Sequence, residues 1–221
     1  MVDRTAEHLA ALVAQRASAA GASWISAQVA QASAGSRTDF VTAFSSAGRR
    51  LGPAPLLLEE DGAKATRLLA GRGLDEVGRV ALLLAMPGAV ADQQSLVQEL
   101  FYRGDAREKQ AVLRALPLLP EPLRFLEIGV EACRSSVQTV FEAIACENPY
   151  PADHFPEAAF NQMVLKALFI ETRTARIDGL ARRAGSELVR MVEGYASERR
   201  AAGRTVPEDI EAIRALVRRD Q

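Results

Sequence analysis

The side chains best suited to chemistry in this chain crowd into one stretch, Asn148 to Ala167. Lys166 is the most conspicuous of them. It follows Met163-Val164-Leu165 and precedes Ala167-Leu168-Phe169, and only two other lysines, Lys64 and Lys109, occur in 221 residues. A lysine buried unpaired among such neighbours is costly or loses part of its basicity. It therefore needs a carboxylate, a route to water or a ligand. Neutralised, it can serve as a base or form a Schiff base. Charged, it can hold an anion as a point charge. As a structural residue it snorkels to the surface or pairs with an acid such as Glu142 or Glu147.

The other candidates are polar groups in the same apolar stretch. His154 stands beside Asp153 and three residues before Glu157, an arrangement open to proton shuttling, metal ligation or simple stacking on Tyr150 or Phe155. The only other histidine is His8 and there are two cysteines, so neither a metal site nor a cofactor is expected. At 100° per residue, Glu157 and Asn161 share one side of a helix, and Gln162 and Lys166 lie nearly opposite. A buried Asn must satisfy one oxygen and two N–H donors, so Asn148 and Asn161 could equally tie down carbonyls of the nearby proline-rich turn. Arg176, close to Asp178, reads as a lock on the helix that follows. The candidate ligand-binding set is Asn148, Tyr150, His154, Glu157, Asn161, Gln162, Lys166 and Arg176. No residue is assigned a catalytic role, and GxGxxG, Walker A, GxSxG and HExxH patterns are all missing.

These residues must be held by helices. Ala, Leu, Arg and Glu dominate, aromatics make up 5%, and alternating strand-like runs are missing, which together predict an all-α chain. The spacing predicts a first helix over about Thr5 to Ala20, closed by Gly21 and Ser23. A second follows around Trp24 to Ala32, ended by Ser33, Gly35 and Ser36, and a third is capped by Ser36 or Thr38. Gly52-Pro53-Ala54-Pro55 breaks the pattern. Leu56 to Leu58 has no evident strand partner and is expected in a loop or short helix. Helices over Asp61 to Leu69 and Leu74 to Ala85 come next, the latter ended by Pro87-Gly88.

Between residues 90 and 146 the pattern repeats in units of about 30 residues. Asp105-x-x-Glu108 has the form of a capping box, Pro122 suits a first helical position, and Ser135-x-x-Gln138 predicts a break between two helices. The resulting architecture is a stack of antiparallel helical hairpins, an α-α superhelix of HEAT-like type, in a single domain over 1–221. Within it, 1–88 holds the N-terminal helices, 89–146 the hairpin repeats and 147–221 the last helices. Asn148-Pro149-Tyr150-Pro151 should force an extended turn. Phe155-Pro156-Glu157 restarts a helix that is apolar around nearly its whole circumference from Ala158 to Ile170, hence buried. A turn at Ile177 to Leu180, a helix over Ser186 to Ala202 ended by Gly203, and a last helix opened by Pro207 complete the chain.

The bulk numbers exclude several classes. Twenty-seven basic against 28 acidic residues give a net charge of −1, without the basic excess of a nucleic-acid binder. The arginines after Arg173 alternate with glutamates, as on a solvated, salt-bridged face, although several converging arginines would make a phosphate-binding patch. No apolar run approaches the roughly 20 residues of a membrane span, and the N-terminus lacks the form of a secretory signal, so a cytoplasmic protein with two reduced core cysteines is expected.

Glu147-Asn148-Pro149-Tyr150-Pro151, Phe155-Pro156-Glu157 and Asn161-Gln162-Met163-Val164-Leu165-Lys166-Ala167-Leu168-Phe169 together resemble the signature of the EboA family. Arg176-Ile177-x-Gly179-Leu180 and Ala201-Ala202-Gly203-Arg204 fit the same pattern. Gly104-Asp105-Ala106-Arg107-Glu108 and Cys133-Arg134-Ser135 resemble it more loosely, and the first 80 residues add little. The chain departs from the pattern at Ser197 and Arg200, where a His and a Trp are expected. The resemblance implies a small bacterial accessory protein, encoded beside pathway enzymes that include a membrane prenyltransferase, acting in metabolite traffic or biosynthesis without an established reaction. Its partners would be a small-molecule metabolite or proteins of the same gene cluster. Three readings follow: an accessory protein that binds such a partner, a noncanonical enzyme using Lys166, Glu157 and His154, or a scaffold without a ligand pocket.

Overall fold

The computed structural model describes residues 4–32, 36–57, 64–86 and 90–218, and among these it is all-helical. The chain forms two compact units, Met1–Ile128 and Gly129–Gln221. The expected helix stops at Ser33-Gly35 and Pro87-Gly88, the start of a helix at Asp61, and Leu58 lie outside the described residues.

The amino-terminal unit begins with α1 (Arg4–Arg16), α2 (Ala19–Gln31) and α3 (Arg37–Leu51). The break between the first two falls at Ala17-Ser18 rather than at Gly21. Ser18 caps α2, its hydroxyl accepting the Gly21 N–H at 3.2 Å. Gly21 is therefore inside a helix, and its lack of a side chain serves close packing: a Cβ there would stand 2.9 Å from the Arg50 carbonyl oxygen. Ser36 and Asp39 cap α3 reciprocally. Leu56 does have a backbone partner: its N–H donates to the Arg72 carbonyl at 2.7 Å and its own carbonyl accepts from Gly71 at 2.9 Å, around an isolated antiparallel bridge between Pro55 and Gly73. One bridge is too short to make a strand.

Next come α4 (Lys64–Leu69), α5 (Leu74–Ala85), α6 (Val90–Arg103) and α7 (Ala106–Ala115), the last opened by the Asp105–Glu108 capping box. Helix α5 is the centre of this unit. Every residue in it except Glu76 is buried, and it packs against α1, α2, α3 and α7. Burial of Asp75 is possible because Arg79, one turn on, bonds its carboxylate at 2.9 Å with both side chains enclosed. Arg79 also donates to the Phe44 carbonyl at 3.0 Å, and Arg107 reaches the same carboxylate at 3.3 Å.

A buried pair that loses one member leaves an uncompensated charge. Asp75→Ala is expected to destabilise the protein by about 3–5 kcal/mol in urea denaturation, whereas Asp75→Leu combined with Arg79→Met recovers most of that loss. A single-variant loss below about 1 kcal/mol contradicts this account of α5.

A short helix, α8 (Leu126–Ala132), leads into the carboxy-terminal unit, which comprises α9 (Gln138–Ala145), α10 (Tyr150–His154), α11 (Glu157–Phe169), α12 (Leu180–Arg183), α13 (Ser186–Ala201) and α14 (Asp209–Arg218). The break near Ser135 is present, but without a capping box. Val137 occupies the cap position of α9, and the Ser135 hydroxyl instead accepts the Val137 N–H at 3.1 Å. The Asn148–Pro151 stretch is not extended either. The Asn148 side-chain oxygen accepts the Tyr150 N–H at 3.0 Å, and Pro149 and Pro151 fit the first turn of α10, where no N–H is needed. Helix α11 packs on α9 and α13, and α13 on α14. Phe141, Tyr150, Phe160, Val164, Leu188 and Val192 fill the core between them.

Candidate functional site

Helix α11 is not buried all round. Phe160, Asn161, Val164 and Leu168 face the core, but Ala158, Gln162 and Phe169 are exposed and Leu165 and Lys166 half-exposed along the opposite side. That side carries two grooves of about 590 Å³ each. The first lies between α11 and the end of α13, lined by Leu165, Phe169, Tyr195, Glu198, Arg199 and Arg204 among others. The second lies between α11 and the end of α8, lined by Val130, Cys133, Arg134, Ala158, Ala159 and Met163. Gln162 and Lys166 line both, so the two form a ridge between the grooves.

Lys166 has no carboxylate partner among the described residues. Its ammonium donates to the carbonyls of Cys133 at 2.6 Å and Ser135 at 2.7 Å and stands 4.9 Å from the centre of the Phe141 ring. These carbonyls belong to the broken segment between α8 and α9, beyond the last turn of α8. Desolvation lowers the Lys166 pKa below the usual lysine range. The expected acids are committed elsewhere. Arg176 binds Glu147 through two of its nitrogens at 2.7 and 3.1 Å and Glu142 at 2.9 Å. Burial by itself would raise the Glu142 carboxyl, but the bonds from Arg176 and Gln138 bring it below the ordinary range. The same clasp holds Glu147 in the left-handed region, φ 46°, with its N–H donating to the Arg176 carbonyl at 2.8 Å.

The remaining residues singled out from the sequence do not join the grooves. Asn148 is buried, and its amide donates to the Ala143 carbonyl near the end of α9 at 2.9 Å. Tyr150 is fully enclosed, which drives its hydroxyl pKa upward, and its ring packs against His154 at 4.9 Å and edge-on against Phe155 at 6.1 Å. Asp153 pairs with Arg182 at 2.6 Å instead of with His154. Glu157 is exposed at the start of α11, nine residues and about 13 Å of helix rise before Lys166. Lys166, Glu157 and His154 therefore do not converge.

Asn161 faces inward, 1% exposed, and neither its amide nitrogen nor its oxygen has a hydrogen-bond partner among the described residues. Cys133 and Cys146 are not joined in a disulfide, and burial pushes the Cys133 thiol up to about 12. Among the described residues no group of three or more His, Cys, Asp or Glu is placed to hold a metal, and no helix is long and apolar enough to cross a membrane.

Sequence reasoning missed the far wall of the first groove. Gly203, at φ 65°, ends α13 in a Schellman-type cap, with its N–H on the Arg200 carbonyl at 3.0 Å and the Arg204 N–H on the Arg199 carbonyl at 2.8 Å. This cap folds Arg204 back beside Arg199 at the groove mouth. Arg199 is itself fixed, donating to the Thr205 carbonyl at 2.6 Å and the Tyr195 hydroxyl at 3.1 Å. The signal was legible in Ala201-Ala202-Gly203-Arg204, a helix end followed by a cation. Ser197 and Arg200 are exposed and take no part in the lining.

Among its described residues the protein is all-helical, and it presents an open, largely apolar cleft between α11 and the end of α13. The family model described as metabolite traffic protein EboA matches residues 5–214, and the chain belongs to that family. No curated protein and no solved structure matches it.

Removing an unpaired buried amide relieves its desolvation cost, provided the replacement has a similar shape. Asn161→Leu is expected to raise stability by about 1–2 kcal/mol in thermal or urea denaturation. A loss of similar size would show that the amide has a partner in the folded protein.

Proposed function

We propose that this chain is a non-catalytic accessory protein of a bacterial secondary-metabolite biosynthesis or trafficking pathway, and that it binds a metabolite in the groove between α11 and α13. The observation that carries the proposal is Phe169. It is 67% exposed at the edge of a cleft of about 590 Å³ that also presents Leu165, Tyr195 and Ala202. That volume lies within the range of small-molecule sites, and an exposed aromatic beside a cleft is a common way to hold an apolar body. The family description, metabolite traffic, supports the same reading.

Binding without catalysis is supported by how the reactive groups are held. The Lys166 ammonium is engaged by two carbonyls, the Cys133 thiol is pushed up to about 12 and the Tyr150 hydroxyl is enclosed in the core. Of the residues chosen from sequence, the proposal keeps Gln162 and Lys166 as ligand contacts. It gives Asn148, Tyr150, His154 and Arg176 the work of holding the segment that carries α11, and leaves Glu157 and Asn161 beside the site. The stacked, HEAT-like arrangement is part of the same proposal. The pair α6 and α7, joined across Gly104-Asp105 and packed together, supports it as one such hairpin.

Native mass spectrometry of the protein purified from its own host tests this directly. The expected result is a small-molecule adduct on the unaltered chain that disappears in Phe169→Asp, a change at an exposed position. An unliganded mass for both proteins, or a co-purifying protein in place of a small molecule, overturns the proposal.

A further inference from the structure

The first groove is apolar and carries an excess of cations over carboxylates in its lining. Lys166, Arg199 and Arg204 line it against one carboxylate, Glu198. Elsewhere in the same unit Arg134, Arg176, Arg182, Arg190 and Arg214 each lie within 4 Å of an acid. None of the three groove cations has such a partner among the described residues. Lys166 and Arg199 are bonded to neutral groups, the carbonyls of Cys133, Ser135 and Thr205 and the hydroxyl of Tyr195. Those bonds fix where the charges stand without neutralising them. Arg204 is exposed, and its position is set by the backbone cap at Gly203.

Fixed cations along an apolar cleft recognise a particular kind of molecule. Water-exposed guanidinium groups favour oxyanions such as carboxylates and phosphates, which they bind through paired, charge-assisted hydrogen bonds. The stripe of Leu165, Phe169 and the Tyr195 ring favours an apolar or aromatic body laid along it. We infer that the α11–α13 groove takes an amphipathic anion, with a hydrophobic or aromatic body on Leu165 and Phe169 and a carboxylate or phosphate head directed to Arg204 and Arg199, with Lys166 adding to the positive field. This rests on the groove being the binding site and adds the chemical class of what it holds. Arg204 is the specificity-determining residue, because it alone of the three can move toward the head group without breaking a bond that supports the fold.

The test uses the full chain and three fluorescent probes below their aggregation limits: dansyl-aminoundecanoic acid, its neutral methyl ester and the corresponding amine. The acid is expected to bind about tenfold or more tightly than the ester, the size of one or two charge-assisted hydrogen bonds. Arg204→Ala should remove most of that preference, weakening the acid far more than the ester, and added salt should weaken the acid more than the ester. Displacement of the acid probe by dodecanoate or by dodecyl phosphate supports the inference either way and tells a carboxylate head from a phosphate one. If acid and ester bind equally, or the amine binds best, the anionic class is wrong although the groove still binds. If none of the probes binds, the groove reading fails along with it.

Discussion

Helix-end carbonyls are the constraint on which the carboxy-terminal unit depends. Its chain breaks often, with short helices such as α10 and α12 between the longer ones, and each helix end leaves carbonyl oxygens without an intrahelical N–H. Where such groups are shielded from water they must be met by side chains. The protein meets them with its most polar residues: Lys166 at Cys133 and Ser135, Asn148 at Ala143, and Arg183 at Ala152 and Phe155. Arg199 does the same at Thr205. The residues that look most like chemistry in the sequence are therefore, in large part, the ones that allow a broken chain to stay folded.

That constraint also shapes the surface. A cation satisfied by a carboxylate is electrically silent at a distance, while one satisfied by a carbonyl keeps its charge. Using Lys166 and Arg199 as carbonyl partners leaves positive charge along one side of α11 and the end of α13. The Schellman cap at Gly203 adds Arg204 to it. The amino-terminal unit handles a buried charge differently, by pairing Asp75 with Arg79 inside the core.

Much of the fold could be read from sequence because capping and punctuation are local. A cap at Ser36, the Asp105–Glu108 box, the bounds of α5 and the stop at Gly203 all follow from side chains within a turn or two of the helix end. What could not be read depends on distant partners. Gly21 resembled a helix stop, yet it answers the approach of the Arg50 carbonyl from α3. Composition suggested that α11 was buried all round, but Phe169 and Leu165 gain their partial exposure from where α13 ends. The site was legible in outline only. The opposition of Gln162 and Lys166 to Asn161 followed from 100° per residue, while the far wall, contributed by Tyr195, Arg199 and Arg204 some thirty residues later, did not.

The central claim is that ligand recognition resides in the cleft between α11 and the end of α13. Photo-crosslinking with a diazirine-bearing fatty acid, followed by peptide mapping, tests it most directly. The account predicts adducts confined to the segments Gln162–Phe169 and Tyr195–Arg204. Adducts concentrated in the amino-terminal unit, or around Asn148 to Glu157, would contradict it.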